Sequence, residues 1–482
     1  TTALAAVCFC DYLCDLLPTT LPTHYSQSSC PPHVTSRYTN RMTTAEPTID
    51  RIIKNFDKLA VTPARTALLS IVEAGLEAIQ TPRVVERAVA LEGNVLTVAG
   101  TAYDLTMYEN LYVVGVGKCA VDAATALEGI LGERITAGAV LDVREVEQPL
   151  KHIQTLVGTH PFPSAQNITH TRALLDIAQR AGDHDLVLVI ISGGGSALLT
   201  QPKTHTAHDE AKLIEHLFRG GAMIEDLNTV RKHLSEARGG HLAAAAFPAT
   251  VVSLLFSDVP GNDIHTISSG PTVMDESTLE DARAVLEKYH AEHCGFDPAH
   301  LFETPKVESM FVHVRNELVL TNETALVAMK SRAEALGYSA MIRDTDIRGE
   351  ARELGKLLVD ELHAARPRTV LLYGGETTVT IEGPGKGGRN EELSLGALAH
   401  LTEHELVLSV ASDGRDNTEY AGGIADAETK RLASNESLDP ANFLYTNDSF
   451  TFFHTLKQGV NTGYTGANVA DLMVAMKHEE RA

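Results

Sequence analysis

DLVLVIISGGGSALL, residues 185–199, decides the fold. Six consecutive apolar residues, Leu186–Ile191, run into a serine, three glycines and a second serine. An apolar run of this length that stops at a turn reads as a strand buried on both faces, the kind found in a parallel sheet covered by helices. The same grammar repeats on either side of it. Apolar periodicity predicts helices over 64–80, 118–131, 169–182 and 207–220, and strands over 111–115, 137–142, 186–191 and 250–256. Strands that alternate with amphipathic helices build a Rossmann-like, mostly parallel sheet, whose ligands bind at the carboxyl ends of the strands.

A second alternation begins near residue 315 with NELVL, a helix through 336, SAMIR, a helix over 348–365, TVLLYGG, the hairpin TTVTIEG, a helix over 390–401 and ELVLSVAS. The expectation is therefore two α/β domains with a cleft between them, the first over 46–305 and a smaller one over 306–482. The acidic segment 291–309 forms the junction. Residues 1–45 carry no such pattern and read as a disordered extension; the first methionine is Met42.

Composition removes several function classes. The chain has 482 residues, Lys+Arg 40 against Asp+Glu 63 and a formal charge of −23, which repels nucleic acid and anionic membrane. Tryptophan is absent, so stacking platforms for bases are not a theme. No apolar run reaches the length of a membrane span. Of six cysteines, Cys8, Cys10, Cys14 and Cys30 cluster at the start, and only Cys119 and Cys294 follow. That is no disulfide framework, and the expectation is a reduced, cytoplasmic protein acting on a small molecule. HAEHC, with His290, His293 and Cys294, is the one close His/Cys grouping and lacks a second ligand pair.

Four loops carry candidate chemistry. Gly193, Gly194 and Gly195 allow successive N–H groups to converge on an anion at a helix start, with Ser192 and Ser196 adding hydroxyls. VVGVGKCA places Gly115, Gly117 and Lys118 between a strand and a helix. It is no P-loop, because Tyr112 stands at the first glycine position and Cys119 follows the lysine. Gly115-x-Gly117-x-x-Ala120 fits a loose dinucleotide fingerprint, with Asp142 at the end of the next strand, which keeps a nicotinamide reductase in play. SDVPGN puts Asp258 at the carboxyl end of a buried strand, the place for a general base, a metal ligand or a helix cap. Arg231 and Lys232 add a basic pair to the same domain. YGGETTVTIEGPGKGGRNEE brings Glu376, Arg389 and Asn390, and SDGRDNTEYAGG brings Asp413 and Asp416 as metal or substrate ligands.

Taken together, VGVGKCA, GTHPFPSAQN, DLVLVIISGGGSALL, LNTVRKHLSEARGGHLA, SDVPGNDIHTISSGPTV, LYGGETTVTIEGPGKGGRNEE, SDGRDNTEYAGG and TGYTGANVADL resemble the class II glycerate kinases, whose carboxyl-terminal half is the MOFRL domain. The resemblance spans about residues 60–475. It implies ATP and Mg²⁺ as cofactors and phosphorylation of D-glycerate, in most members at the 2-hydroxyl. It places Lys118, Asp258 and Arg389 in the catalytic cleft and Ser192, Gly193, Gly194, Gly195 and Ser196 on the nucleotide phosphates. Arg231, Lys232, Glu376, Asn390 and Asp413 become substrate-binding candidates; no metal ligand set follows. The chain departs from the family's usual residues at Glu391 (usually Gln), Tyr464 (Pro), Ala467 (Thr) and Ala470 (Asn). Hydroxypyruvate reduction with NAD(P)H and non-catalytic sensing of a phosphosugar or nucleotide are the alternatives.

Overall fold

The computed structural model describes residues 51–479 apart from Glu147 and Pro260; the expected extension over 1–45 lies outside the described residues. An antiparallel meander of β1 (Val89–Glu92), β2 (Val95–Val98) and β3 (Thr101–Asp104), which the periodicity did not announce, precedes the first large sheet. That sheet contains β4 (Asn110–Val116), β5 (Ala137–Asp142), β6 (Ile153–Val157), β7 (Asp185–Ser192), β8 (Thr250–Phe256) and β9 (Val314–Leu320), in the order β6-β5-β4-β7-β8-β9. All its pairings are parallel.

Every residue of β7 is buried, as its unbroken apolar run requires. Leu186, Leu188 and Ile190 point into one core, while Val187, Val189 and Ile191 point into the other, under the helix Ala165–Ala178. The period-2 alternation of a strand thus feeds both layers at once.

The second sheet holds β10 (Ser339–Ile347), β11 (Thr369–Gly375), β12 (Glu405–Ala411), β13 (Gly422–Ala425), β14 (Gly459–Val460) and β15 (Asp471–Lys477), in the order β10-β11-β15-β12-β13-β14. It is mixed: β10 and β11 are parallel, and β15 runs antiparallel between β11 and β12. The last strand of the chain therefore sits inside the sheet. The helices Ala351–His363, Arg389–Leu398 and Ser449–Leu456 cover one face.

Three expectations are corrected. NELVL, assigned to the second domain, is β9, the edge of the first sheet, because its register partner is β8. The helix Pro63–Ala78, assigned to the first domain, packs instead on the helix Asn322–Ala335 and on the second sheet. Arg65 fixes it there: fully buried, it forks onto Asp426 with Nε and Nη2 each 2.6 Å from a carboxylate oxygen, and Nη1 reaches Gln458. One apolar core then runs from Leu188 and Val252 through Leu68 and Leu326 to Leu372 and Val474, joining both sheets. The hairpin expected over TTVTIEG does not form. The segment is an irregular loop held by Glu350, which accepts from Thr380, and by Asn447, which accepts from Glu382 and Gly383.

Candidate active site

The carboxyl ends of β4, β7 and β8 lie side by side, so the three loops that follow them meet. Two of them are zipped together: Lys118 N donates to Gly193 O at 2.9 Å, and Cys119 N to Ser192 Oγ at 3.3 Å. Gly117, at φ +119°, has no room for a side chain, since a Cβ would stand 2.5 Å from Ser192 O. The apposition needs glycine there for both reasons.

Each of the three consecutive glycines is required by a different neighbour. Asp258 lies against Gly193, where a Cβ would come 2.6 Å from its Cγ. At Gly194, φ is +86°, and a Cβ would stand 3.1 Å from Lys118 Cγ and 3.3 Å from His160 Cδ2. Ser268 fills the space beside Gly195, its Cβ 2.7 Å from the added atom. The glycines thus bring Lys118, His160, Asp258 and Ser268 onto one stretch of backbone. The helix that follows is a single turn, Gly195–Leu198, so it contributes little dipole. Its first two N–H groups, on Gly195 and Ser196, have no intrahelical partner.

The electrostatics are those of a small, partly dry pocket. Burial raises the Asp258 carboxyl above the ordinary carboxylate range, and the Lys118 ammonium partly offsets that rise. Burial, with Lys118 and Arg231 adding to it, pushes His160 down to about 3, so the imidazole is neutral. The floor is strained as well. Ser268 (φ +52°), Ser269 (φ +60°) and Gly270 (φ +57°) are left-handed in succession. Ser268 Oγ donates to Ser192 O at 2.7 Å, and Ser269 Oγ lies 2.9 Å from both Ser196 Oγ and Asn228 Oδ1. Such outliers persist where the surroundings over-determine them, commonly at functional sites.

The second sheet supplies an acidic shell. Burial raises Glu376; Arg389 counters this, and Asp471, Asp258 and Asp413 push it further up, so Glu376 senses the carboxylate of the first sheet. Arg389, at the start of its helix, is not an unengaged fork. Its Nε and Nη2 lie 2.6 and 3.0 Å from buried Asp471, and Nη1 is 3.2 Å from Glu376. Asn390 is a buried linker, with Nδ2 on Asp416 (3.1 Å) and Asp471 (2.9 Å). Asp413 accepts from Arg415 N at 3.0 Å and is half-buried. Burial pushes Asp416 up to about 7, with Arg389 opposing and Asp471 adding.

The sequence candidates divide accordingly. Lys118, Asp258 and Gly193–Gly195 come together, and Glu376 couples them to Arg389. Lys232 does not join them, because it is buried with Nζ 3.0 Å from Asp275. The hydroxyls of Ser192 and Ser196 are engaged in the loop seams. Asp142, the acid of the dinucleotide fingerprint, is fully buried and accepts from Val121, Val143 and Arg144 N–H groups. Its oxygens are spent on the β4 and β5 turns rather than presented to a ribose. His160, Ser268, Asn228 and Asp471 were missed. A histidine just past the end of β6 and an aspartate opening the apolar strand DLMVAMK were the available signals.

Among the described residues no group of three or more His, Cys, Asp or Glu side chains is arranged to hold a metal ion, and no helix is long and apolar enough to cross a membrane. His290 and His293 stack on each other at 5.5 Å.

The pattern of a family described as a domain of unknown function, DUF4147, matches residues 67–297, and that of the MOFRL family matches 369–471. The D-glycerate 2-kinase of Thermotoga maritima is 36% identical over 382 residues, 76% of this chain and 91% of that protein. A putative hydroxypyruvate reductase of Agrobacterium vitis is 36% identical over 376 residues, 75% of this chain and 85% of its own. The crystal structure of the Thermotoga maritima glycerate kinase superposes with a TM-score of 0.76 at 33% identity, covering 85% of this chain and 98% of that one.

Proposed function

Because this chain belongs to the glycerate kinase family, we propose that it transfers the γ-phosphoryl group of ATP to the 2-hydroxyl of D-glycerate, giving 2-phosphoglycerate. The observation that carries the reading is the packing of Asp258 and Lys118 on adjacent glycines of one loop. Phosphoryl transfer asks little covalent chemistry of a protein; it asks for a positioned hydroxyl, a base for its proton and cations for the developing charge. Asp258, with a raised pKa, accepts the hydroxyl proton as the new O–P bond forms. Lys118 faces the charge that spreads over the phosphoryl oxygens. The N–H groups of Gly195 and Ser196 suit a phosphate oxygen.

Arg389 takes a modified role in this reading. Its fork is committed to Asp471, so the edge toward Glu376 is the part that faces the first sheet. Mg²⁺ brought in with the nucleotide would neutralise phosphate charge, held by the phosphates rather than by a carboxylate cluster of the described residues. The burial of Asp142 favours the kinase over the NAD(P)H-dependent reductase. The protein acts on a small metabolite, and a cytoplasmic location accords with that reading.

The test is to incubate purified protein with ATP, Mg²⁺ and D-glycerate and to identify the product by phosphorus NMR. A 2-phosphoglycerate resonance supports the reading; 3-phosphoglycerate corrects the regiochemistry. NADH oxidation by hydroxypyruvate without ATP use overturns it.

A further inference from the structure

The helix Ile224–Lys232 packs against the Ile267–Ser269 turn that floors the site, and its contacts point to a ligand. Asn228 is buried at 4% exposure, and its Oδ1 is taken by Ser269 Oγ at 2.9 Å. Its Nδ2 has no hydrogen-bond partner among the described residues. An orphaned buried amide donor is costly unless something fills it in the working state. Three residues on, Arg231 shares that helix face. Burial foremost, then the charges of Lys118 and Arg231, keeps the His160 imidazole neutral. The helix end is pinned by Arg238, fully buried, whose Nη1 donates to Arg231 O at 3.2 Å while Nη2 pairs with Glu210 at 2.7 Å. The guanidinium of Arg231 is thus carried on a rigid mount.

We propose that Arg231, His160 and Asn228 Nδ2 form the subsite for the carboxylate of the acceptor. This rests on the kinase reading above and assigns the part of the acceptor that does not react. The neighbours of the cluster suit the acceptor's carboxylate. Asp258 packs on Gly193 and His160 on Gly194, and adjacent Cα atoms are about 3.8 Å apart. A 2-hydroxy acid carries its hydroxyl and carboxylate on one carbon, so the hydroxyl meets Asp258 as the carboxylate meets His160. Arg231 gives charge, neutral His160 a ring N–H and Asn228 a third donor.

The experiment is calorimetric titration of wild type, Arg231→Met, Asn228→Asp and His160→Gln with D-glycerate, and separately with a non-hydrolysable ATP analogue, alongside steady-state kinetics. Arg231→Met should weaken D-glycerate binding about 10- to 100-fold and leave the ATP analogue within about threefold. Asn228→Asp keeps the shape but turns a donor into a repelling acceptor, and should weaken D-glycerate at least as much. With D-glyceramide, the uncharged analogue, Arg231→Met should lose little relative to wild type. If wild type binds D-glycerate and all three variants bind it equally well, this inference alone is wrong. A loss confined to the ATP analogue would make the cluster a phosphate site and overturn it too. If wild type does not bind D-glycerate, the kinase reading falls and takes this one with it.

Discussion

The carboxylate of Asp258 occupies the space that a side chain on Gly193 would need. Strand β7 therefore ends in glycine because strand β8 delivers an acid to the same spot. Gly193→Ala should push the carboxylate aside with little effect on the fold, because φ at this residue is outside the left-handed range. The expected loss in kcat approaches that of Asp258→Asn, about two to four orders of magnitude for a general base. ATP affinity should change little in either variant. Near-normal kcat in Asp258→Asn would demote the residue to a turn cap.

The pH profile reports the same carboxylate. Burial raises its pKa and Lys118 lowers it, so the base is fully ionised only above the ordinary carboxylate range, and kcat/KM should fall as pH drops through that raised value. Lys118→Met removes the lowering influence. Its residual activity should show the acid limb displaced to higher pH, measured from about pH 4 to 9. A limb displaced to lower pH would mean that another group titrates.

Glu391 and Asp416 give a stability signature. Burial raises both, each adding to or meeting other negative charge nearby, and Asp416 is pushed up to about 7. The folded state then binds protons that the unfolded chain has released, so this contribution is full in acid and is lost as pH rises through the folded values. Glu391→Gln removes one such proton. Relative to wild type, the variant should gain stability above about pH 4.5, with a limiting slope of about 1.4 kcal/mol per pH unit, read as a growing Tm difference. Parallel Tm curves from pH 5 to 8 would contradict this.

Ala470 sits at φ +65°, a strained conformation for a residue with a Cβ, just before the aspartate that holds Arg389. Ala470→Gly or Ala470→Asn should stabilise the protein by about 1 kcal/mol, read as a higher denaturation midpoint at unchanged m. A destabilised glycine variant would show that the chain relaxes the strain in another way.

Asp426→Ala should be severe. It strands a fully buried guanidinium in the core between the helix Pro63–Ala78 and the second sheet, costing about 3–5 kcal/mol in urea melts. A cost below about 1 kcal/mol would mean that Gln458 and Thr429 suffice to hold Arg65.

The four central strands of the first sheet, β4, β5, β7 and β8, were legible in the sequence because they are buried on both faces, whereas the half-exposed edge strand β6 gave no such run. The meeting of Lys118, Asp258 and the glycines followed, since all three stand at carboxyl ends of parallel neighbours. What local pattern could not carry was non-local pairing. Val314–Leu320 reads as a strand, but only register against β8 puts it on the first sheet. Asp471–Lys477 is a strand whose place between β11 and β12 is set by the long return of the chain. Arg65 looks like an ordinary helix cation until Asp426 arrives, 361 residues later. Arg389 and Lys232 look alike in sequence, as cations near glycines. Tertiary structure alone decides that Lys232 is consumed by Asp275 while Arg389 stands between Asp471 and Glu376, because the worth of a charge depends on which partner and how much water the fold leaves beside it.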